Sequence, residues 1–70
     1  IMAAELSNTL NRFVAALPAT ERQVFLCRYW YLDSIETISR SFCFSRSKVT
    51  SMLYRTRVKL LNHLKKEGAL

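Results

Sequence analysis

From Ser45 to Lys66 the chain reads as one long helix that carries seven basic residues and no acid. Its apolar residues Val49, Leu53, Leu60 and Leu64, with Met52 beside them, keep a helical spacing, and Thr56 extends that stripe. One side must therefore face a core, while Lys48, Ser51, Arg55 and Lys59 recur on the other. Such a helix needs a body to cover its apolar side. Its basic side suits a polyanion, such as the groove of duplex DNA.

The remaining chain can supply that body only as helices. With 70 residues, a single domain spanning 1–70 is expected. Half of the residues are apolar, and one glycine and one proline argue against a turn-rich β fold. The net charge of +6 favours nucleic acid, an anionic membrane or an acidic protein as partner. That charge is uneven: the first 45 residues hold four bases and four acids, so the excess belongs to the last third.

A first helix is predicted over residues 3–17, with Leu6, Leu10, Phe13 and Leu17 on one stripe and Val14 alongside. Asn8, Asn11 and Arg12 fall on its solvent side. Pro18 ends it and a second helix begins at once, either with Pro18 at N1 or with Thr20 as cap and Gln23 completing a capping box. Val24, Phe25, Cys27, Tyr29 and Trp30 make that helix apolar on more than one face and place it at the centre of the core. Tyr29, Trp30 and Tyr31 cannot all point inward. Either two pack and the third covers the end of the core, or an exposed ring holds a partner protein or a DNA backbone.

Asp33 and Ser34 are both helix-start residues, and Asp33 with Glu36 fits a capping box for a short third helix, about Ser34 to Phe42, whose apolar face is Ile35, Ile38 and Phe42. Its N-terminus could hold a phosphate or a carboxylate. Ser45 is a strong N-cap for the last helix, with Phe44 and Val49 placed as a hydrophobic staple. A short helix, a tight turn and a basic second helix make the helix-turn-helix pattern, here over about 34–66. The fold class is thus all-α: four helices with a C-terminal helix-turn-helix, a winged-helix-like three-helical core without a wing. Gly68 is placed to end the last helix, where Lys65 and Lys66 suit the dipole.

The residues predict binding rather than catalysis. His63 is the only histidine and has no cysteine or carboxylate at a helical spacing that makes a triad or metal site. No cofactor, no metal and no enzymatic activity are expected. Cys27 and Cys43 fit no zinc spacing and read as two buried free thiols of a cytoplasmic protein in preference to a disulfide. No signal peptide, membrane span or membrane association is expected.

Base-edge candidates are Arg46, Ser47, Lys48, Thr50 and Ser51, early in the long helix. Lys48 and Ser51 lie on its outward face, whereas Thr50 lies nearer the core side and braces the helix. Arg55 and Lys59 come a turn or two later, where a straight helix leaves the groove floor and meets phosphate. Arg22, Arg28 and Arg40 would touch the backbone on either side, with ordinary surface charge or an internal ion pair as the competing reading for each.

These residues also carry a resemblance. Leu17-Pro18 followed by Arg22-Gln23-Val24-Phe25-Leu26 resembles the opening of region 4 of bacterial sigma-70-family sigma factors. The segment Asp33 to Ser39 and the run Phe44 to Leu60, with its Tyr54-Arg55-Thr56-Arg57-Val58-Lys59-Leu60 tail, are similar to that region too. The resemblance covers roughly residues 10–66. It implies a helical domain that reads the promoter −35 element with the long helix of a helix-turn-helix. It implies attachment to core RNA polymerase through the β-subunit flap helix, on apolar surface of the first two helices, and competition by an anti-sigma factor for the same surfaces. Cys43 stands where the family commonly has glycine, Ser39 where it has alanine, and Thr50 and Met52 where bases are frequent. If the turn keeps a positive φ, Cys43 is strained by about 1 kcal/mol. The 70 residues hold no counterpart of region 2, so either a piece of a full sigma factor or a stand-alone regulator is expected. The alternatives are a response-regulator-type helix-turn-helix output domain, dimerising through Leu61, Leu64 and Leu70, and a protein-interaction module of the transcription machinery.

Overall fold

The computed structural model describes the backbone of residues 3–68 and the side chains of residues 7–68. It is all-α, with four helices: α1 (Ala3–Ala16), α2 (Ala19–Tyr29), α3 (Ile35–Phe42) and α4 (Arg46–Lys66). The side chain of Leu6 and the whole of Leu70, both invoked above, lie outside the described residues.

The α1–α2 corner is made by Pro18. Its ring holds φ at −53° with ψ at 147°, an extended conformation that ends α1. Its carbonyl accepts the first bond of α2, from Arg22 N–H at 2.9 Å. Pro18 therefore occupies the N-cap rather than N1, and no side chain caps this helix. Thr20 is not the cap either: helical geometry starts at Ala19, which puts Thr20 inside the first turn.

The second corner differs from expectation by one residue. Ser34 caps α3, its Oγ accepting from Thr37 N–H at 3.1 Å. Asp33 lies outside the helix, so the Asp33–Glu36 capping box does not form. Asp33 instead closes the end of α2: its N–H donates to the Cys27 carbonyl at 2.9 Å. Leu32, just before it, takes φ +59°.

The third corner is a hydrogen-bonded helix end. Cys43 is left-handed, at φ 57° and ψ 37°. Its N–H reaches the Arg40 carbonyl at 3.4 Å, and Phe44 N–H reaches the Ser39 carbonyl at 3.0 Å. Those two bonds are the pair of a Schellman motif, in which glycine usually takes the left-handed position. Ser45 then starts α4, its Oγ accepting from Lys48 N–H at 3.0 Å. At the far end Gly68, at φ +73°, terminates α4 with its N–H on the Lys65 carbonyl at 3.2 Å.

These corners wrap α1, α2 and α3 against α4, which packs on all three. At 1.5 Å per residue α4 alone is about 31 Å long, and it accounts for most of the 37 Å long axis. The core cluster is Val24, Ile38, Val49, Met52 and Leu53, with Cys27, Ile35, Phe42 and Phe44 packed against it. Phe44, expected to staple onto Val49, packs against the cluster that contains it. Leu60 and Leu64, predicted on the same stripe, are only half-buried.

Phe13 and Leu17 anchor α1, both buried. The Phe13 ring meets Phe25 edge-on at 6.3 Å and His63 at 5.5 Å. Two threonines are also buried. Thr56 donates its hydroxyl to the Met52 carbonyl at 2.9 Å, which satisfies it inside an apolar core. Thr9 accepts from Arg12 at 3.4 Å.

Three expectations change on burial. Tyr29, Trp30 and Tyr31 are all exposed, so the alternative in which two of them pack fails and the one with exposed rings stands. Of the α2 residues expected at the core centre only Val24 is fully buried. The body is too small to cover the second apolar face of α2. The cysteines are free but not two buried thiols: Cys27 is half-buried and Cys43 is exposed, because a left-handed cap projects its side chain away from both helices. Burial pushes the Cys27 thiol above its ordinary value, with the Asp33 carboxylate adding to the effect through charge and a hydrogen bond.

Candidate nucleic-acid interface

The first two turns of α4 are aimed by what lies before them. The left-handed Cys43 reverses the chain, Phe44 plugs into the core and the Ser45 cap fixes where the helix begins. With Val49 fully buried, helical rotation turns the neighbouring positions outward. Arg46, Ser47, Lys48, Thr50 and Ser51 are all exposed. Thr50 departs from the expected core-side placement: it stands one residue, or about 100° of helix, beyond Val49. Its hydroxyl donates to the Arg46 carbonyl at 2.9 Å, which leaves an acceptor lone pair and a methyl group facing solvent.

Lys48 folds its ammonium over the Phe44 ring, 4.0 Å from the centroid. The same ring that staples α4 to the core therefore also steadies a base at the helix N-terminus. Across the turn Arg40 is exposed on the last turn of α3, and Arg55 is exposed one turn beyond Ser51. Among the described residues, Arg40, Arg46, Lys48 and Arg55 have no carboxylate partner. Lys48 and Arg55, seven residues apart, fall on one line of α4, while Arg46 opens the same helix and Arg40 stands on α3 across the turn.

The other phosphate candidates are engaged within the fold. Arg28 donates to the Asp33 carbonyl at 3.0 Å and helps close the α2–α3 connection. Lys59 pairs with Glu21 at 3.0 Å, joining α4 to the first turn of α2. Arg22 reaches the Ala15 carbonyl at 3.4 Å across the first corner. The N-terminus of α3 already has Ser34 on one of its free N–H groups and Glu36 in its first turn.

A second surface was not foreseen as a shape. A groove of about 710 Å³ runs between α1, α2 and α4, walled by Leu10, Val14, Phe25, Leu26, Tyr29 and Leu60, with Arg22 and Arg57 on its rim. Arg57 is held there by Tyr29, its Nη1 donating to the phenol oxygen at 2.7 Å. Trp30, 75% exposed, also lines the groove, and Leu32, two residues on, is 78% exposed. The sequence signal for it was the two-sided apolar pattern of α2, which a body of this size leaves half uncovered.

His63 sits at the other end of α4, half-buried under the Phe13 ring. Its Nε2 has no hydrogen-bond partner and stands 3.8 Å from Glu67 Oε1, while Arg12 approaches the other carboxylate oxygen at 3.7 Å. This ties the C-terminal end of α4 to α1. Among the described residues no three of His, Cys, Asp and Glu come together as a metal site, and no helix is long and apolar enough to cross a membrane.

Compared with protein-family models, curated proteins and solved structures, the chain finds no match.

Proposed function

We propose that this chain binds duplex DNA through the N-terminal turns of α4, as a region-4-like domain of the sigma-70 family. In this reading α3, the Cys43 turn and α4 are a helix-turn-helix, and α2 to α4 are a three-helical core without a wing. Arg46, Ser47, Lys48, Thr50 and Ser51 meet base edges of a promoter −35-like element in the major groove. Arg40 and Arg55 meet phosphates on either side, and Lys59 and Arg28 do so only by exchanging the internal partners they now hold.

The observation that carries the reading is the exposed, acid-free start of α4. Five exposed side chains able to read bases lie on two turns, bracketed by arginines that no carboxylate neutralises. Elsewhere the acids do find the bases: Glu21 takes Lys59 and Glu67 takes Arg12. The sequence resemblance supports the promoter and polymerase parts. The β-subunit flap helix of RNA polymerase would lie in the apolar groove between α1, α2 and α4. An anti-sigma factor would compete there or at the basic surface.

The test is equilibrium binding of the chain to labelled duplexes selected from a random pool, with and without core polymerase. Selected duplexes should bind at least tenfold tighter than random ones, and affinity should fall steeply with salt. Four phosphate contacts would give a log–log slope of about −3.6 on B-form DNA. Equal affinity for selected and random duplexes, with and without polymerase, would refute sequence reading.

A further inference from the structure

Beyond the first two turns of α4, the outward face changes character. Tyr54, Val58 and Leu61 are 61%, 40% and 45% exposed. They stand at i, i+4 and i+7, on one line along two turns, about 10 Å of helix. Single exposed apolar residues on a small protein need no explanation, but three in register form a stripe. The stripe does not belong to the core face, since Val49, Met52, Leu53 and Thr56 fill that side of the same helix. Nor is it part of the groove between α1, α2 and α4, to which α4 contributes Arg57 and Leu60.

The stripe has basic borders. Arg57 lies beside it on the groove side, Arg55 on the other, and Lys65, four residues after Leu61, continues its line. All three are exposed, and no acid occurs from Arg46 to Lys66. An occupant must therefore cover apolar side chains and bring negative charge along both edges. A second copy of α4 would set Arg55, Arg57 and Lys65 against their own kind, whether it ran parallel or antiparallel. DNA phosphates would satisfy the edges but leave Tyr54, Val58 and Leu61 uncovered.

We infer that the Tyr54–Val58–Leu61 stripe is a docking face for an acidic amphipathic helix of a partner protein. Such a helix lays its apolar residues, spaced i, i+3 or i+4, and i+7, between Arg55 and Arg57, with glutamates or aspartates on its flanks. This face follows the base-reading turns along α4 and does not depend on the DNA reading. A partner held there would share Arg55 with the proposed phosphate contact, so it and DNA would compete for that one arginine.

The test uses a designed 20-residue peptide with leucines on one helical line and glutamates flanking them, beside a scrambled peptide of the same composition. Binding to the 70-residue chain is read by fluorescence anisotropy. The patterned peptide should bind at least tenfold tighter than the scramble. The decisive variants are Val58→Lys and Leu61→Lys, which remove the stripe while adding charge that attracts the peptide. Both positions are exposed, and circular dichroism checks that each variant folds. Docking on the stripe predicts that either lysine weakens binding at least tenfold. Tighter binding of the lysine variants, equal binding of the scramble, or loss of binding on Leu26→Lys in the groove instead would overturn the inference. So would a sedimenting dimer dispersed by Val58→Lys, or saturable binding to phosphatidylserine vesicles in place of the peptide.

Discussion

Two corners of this molecule solve the same backbone problem with opposite surface results. Leu32 and Cys43 are both left-handed, at φ 59° and 57°, and neither is glycine. Each costs about 1 kcal/mol relative to a glycine in that conformation. At Cys43 the following residue, Phe44, packs into the core, the next, Ser45, caps α4, and the exposed residues after it are polar or basic. At Leu32 four consecutive large side chains, Tyr29 to Leu32, are left exposed. The Cys43 corner aims a helix. The Leu32 corner presents apolar surface beside a groove, and strain alone does not explain that, since the Cys43 corner bears the same strain and packs its aromatic residue against the core.

The comparison breaks most visibly under truncation of side chains. Leu53→Ala, in the core beneath the Cys43 corner, should lose about 3 kcal/mol of stability through lost burial and the cavity left behind. Trp30→Ala, beside the Leu32 corner, should stay within about 0.5 kcal/mol of the parent. Urea unfolding followed by circular dichroism measures both. A Trp30 variant as damaged as the Leu53 variant would show that the exposed ring supports the fold and is not surface held for a partner.

The next effect separates the two corners by ligand. Lys48→Ala and Arg55→Ala should each weaken duplex binding by about 1–2 kcal/mol, roughly five- to thirtyfold, with thermal unfolding little changed. Trp30→Ala and Leu32→Ala should leave DNA binding alone. Anisotropy titrations at one fixed salt concentration decide it. Equal losses from both sets would mean that the whole basic body, rather than the aimed helix, attracts DNA.

The α3–α4 corner was the more legible of the two in the sequence, and the reason is local. Ser45, Phe44 and Val49 act over six residues, so cap and staple can be read from spacing alone. Ser34 and Asp33 are both competent caps side by side. The choice between them follows from which register buries Ile38, and that is a tertiary decision. The exposure of Lys48 and Ser51 followed from helical period, although Thr50 shows how coarse a two-sided reading is near the border. The partners of Lys59 and Arg28 were not legible. Glu21 lies 38 positions from Lys59, and a carbonyl at Asp33 leaves no trace in residue type. That at least one of Tyr29, Trp30 and Tyr31 is exposed was legible, but not that all three are, because apolar periodicity says which faces want cover, not whether a chain this short has enough helices to give it.

Capping sharpens the contrast at a smaller scale. Ser45→Ala removes the acceptor of the Lys48 N–H and should cost about 1 kcal/mol. Because Lys48 and Arg46 lie in the turn that frays, the same variant should also weaken DNA binding a few fold. Ser34→Ala removes an equivalent bond to Thr37 and should cost a similar stability. It lies beside the Leu32 corner, on the far side of α3, and should leave DNA binding nearly unchanged. A Ser34 variant that weakens DNA binding as much as the Ser45 variant would mean that α3 itself touches DNA near its N-terminus.

The smallest effect tests the strain that the two corners share. Cys43→Gly relieves a left-handed side-chain clash but adds freedom to the unfolded chain, so the net gain should be no more than about 0.5–1 kcal/mol. Leu32→Gly should gain a similar amount, since its φ is nearly the same and its side chain contributes little burial. The difference should appear in binding. The two Schellman bonds at Cys43 involve only backbone, so glycine keeps them and α4 keeps its aim. Duplex affinity should then match the parent within twofold. Leu32→Gly removes an exposed apolar side chain two residues after Trp30 of the groove, and should weaken capture of a flap-type amphipathic helix while sparing DNA. If Cys43→Gly instead loses stability, the thiol makes a favourable contact that its exposure does not suggest, and the two corners are not equivalent in strain after all.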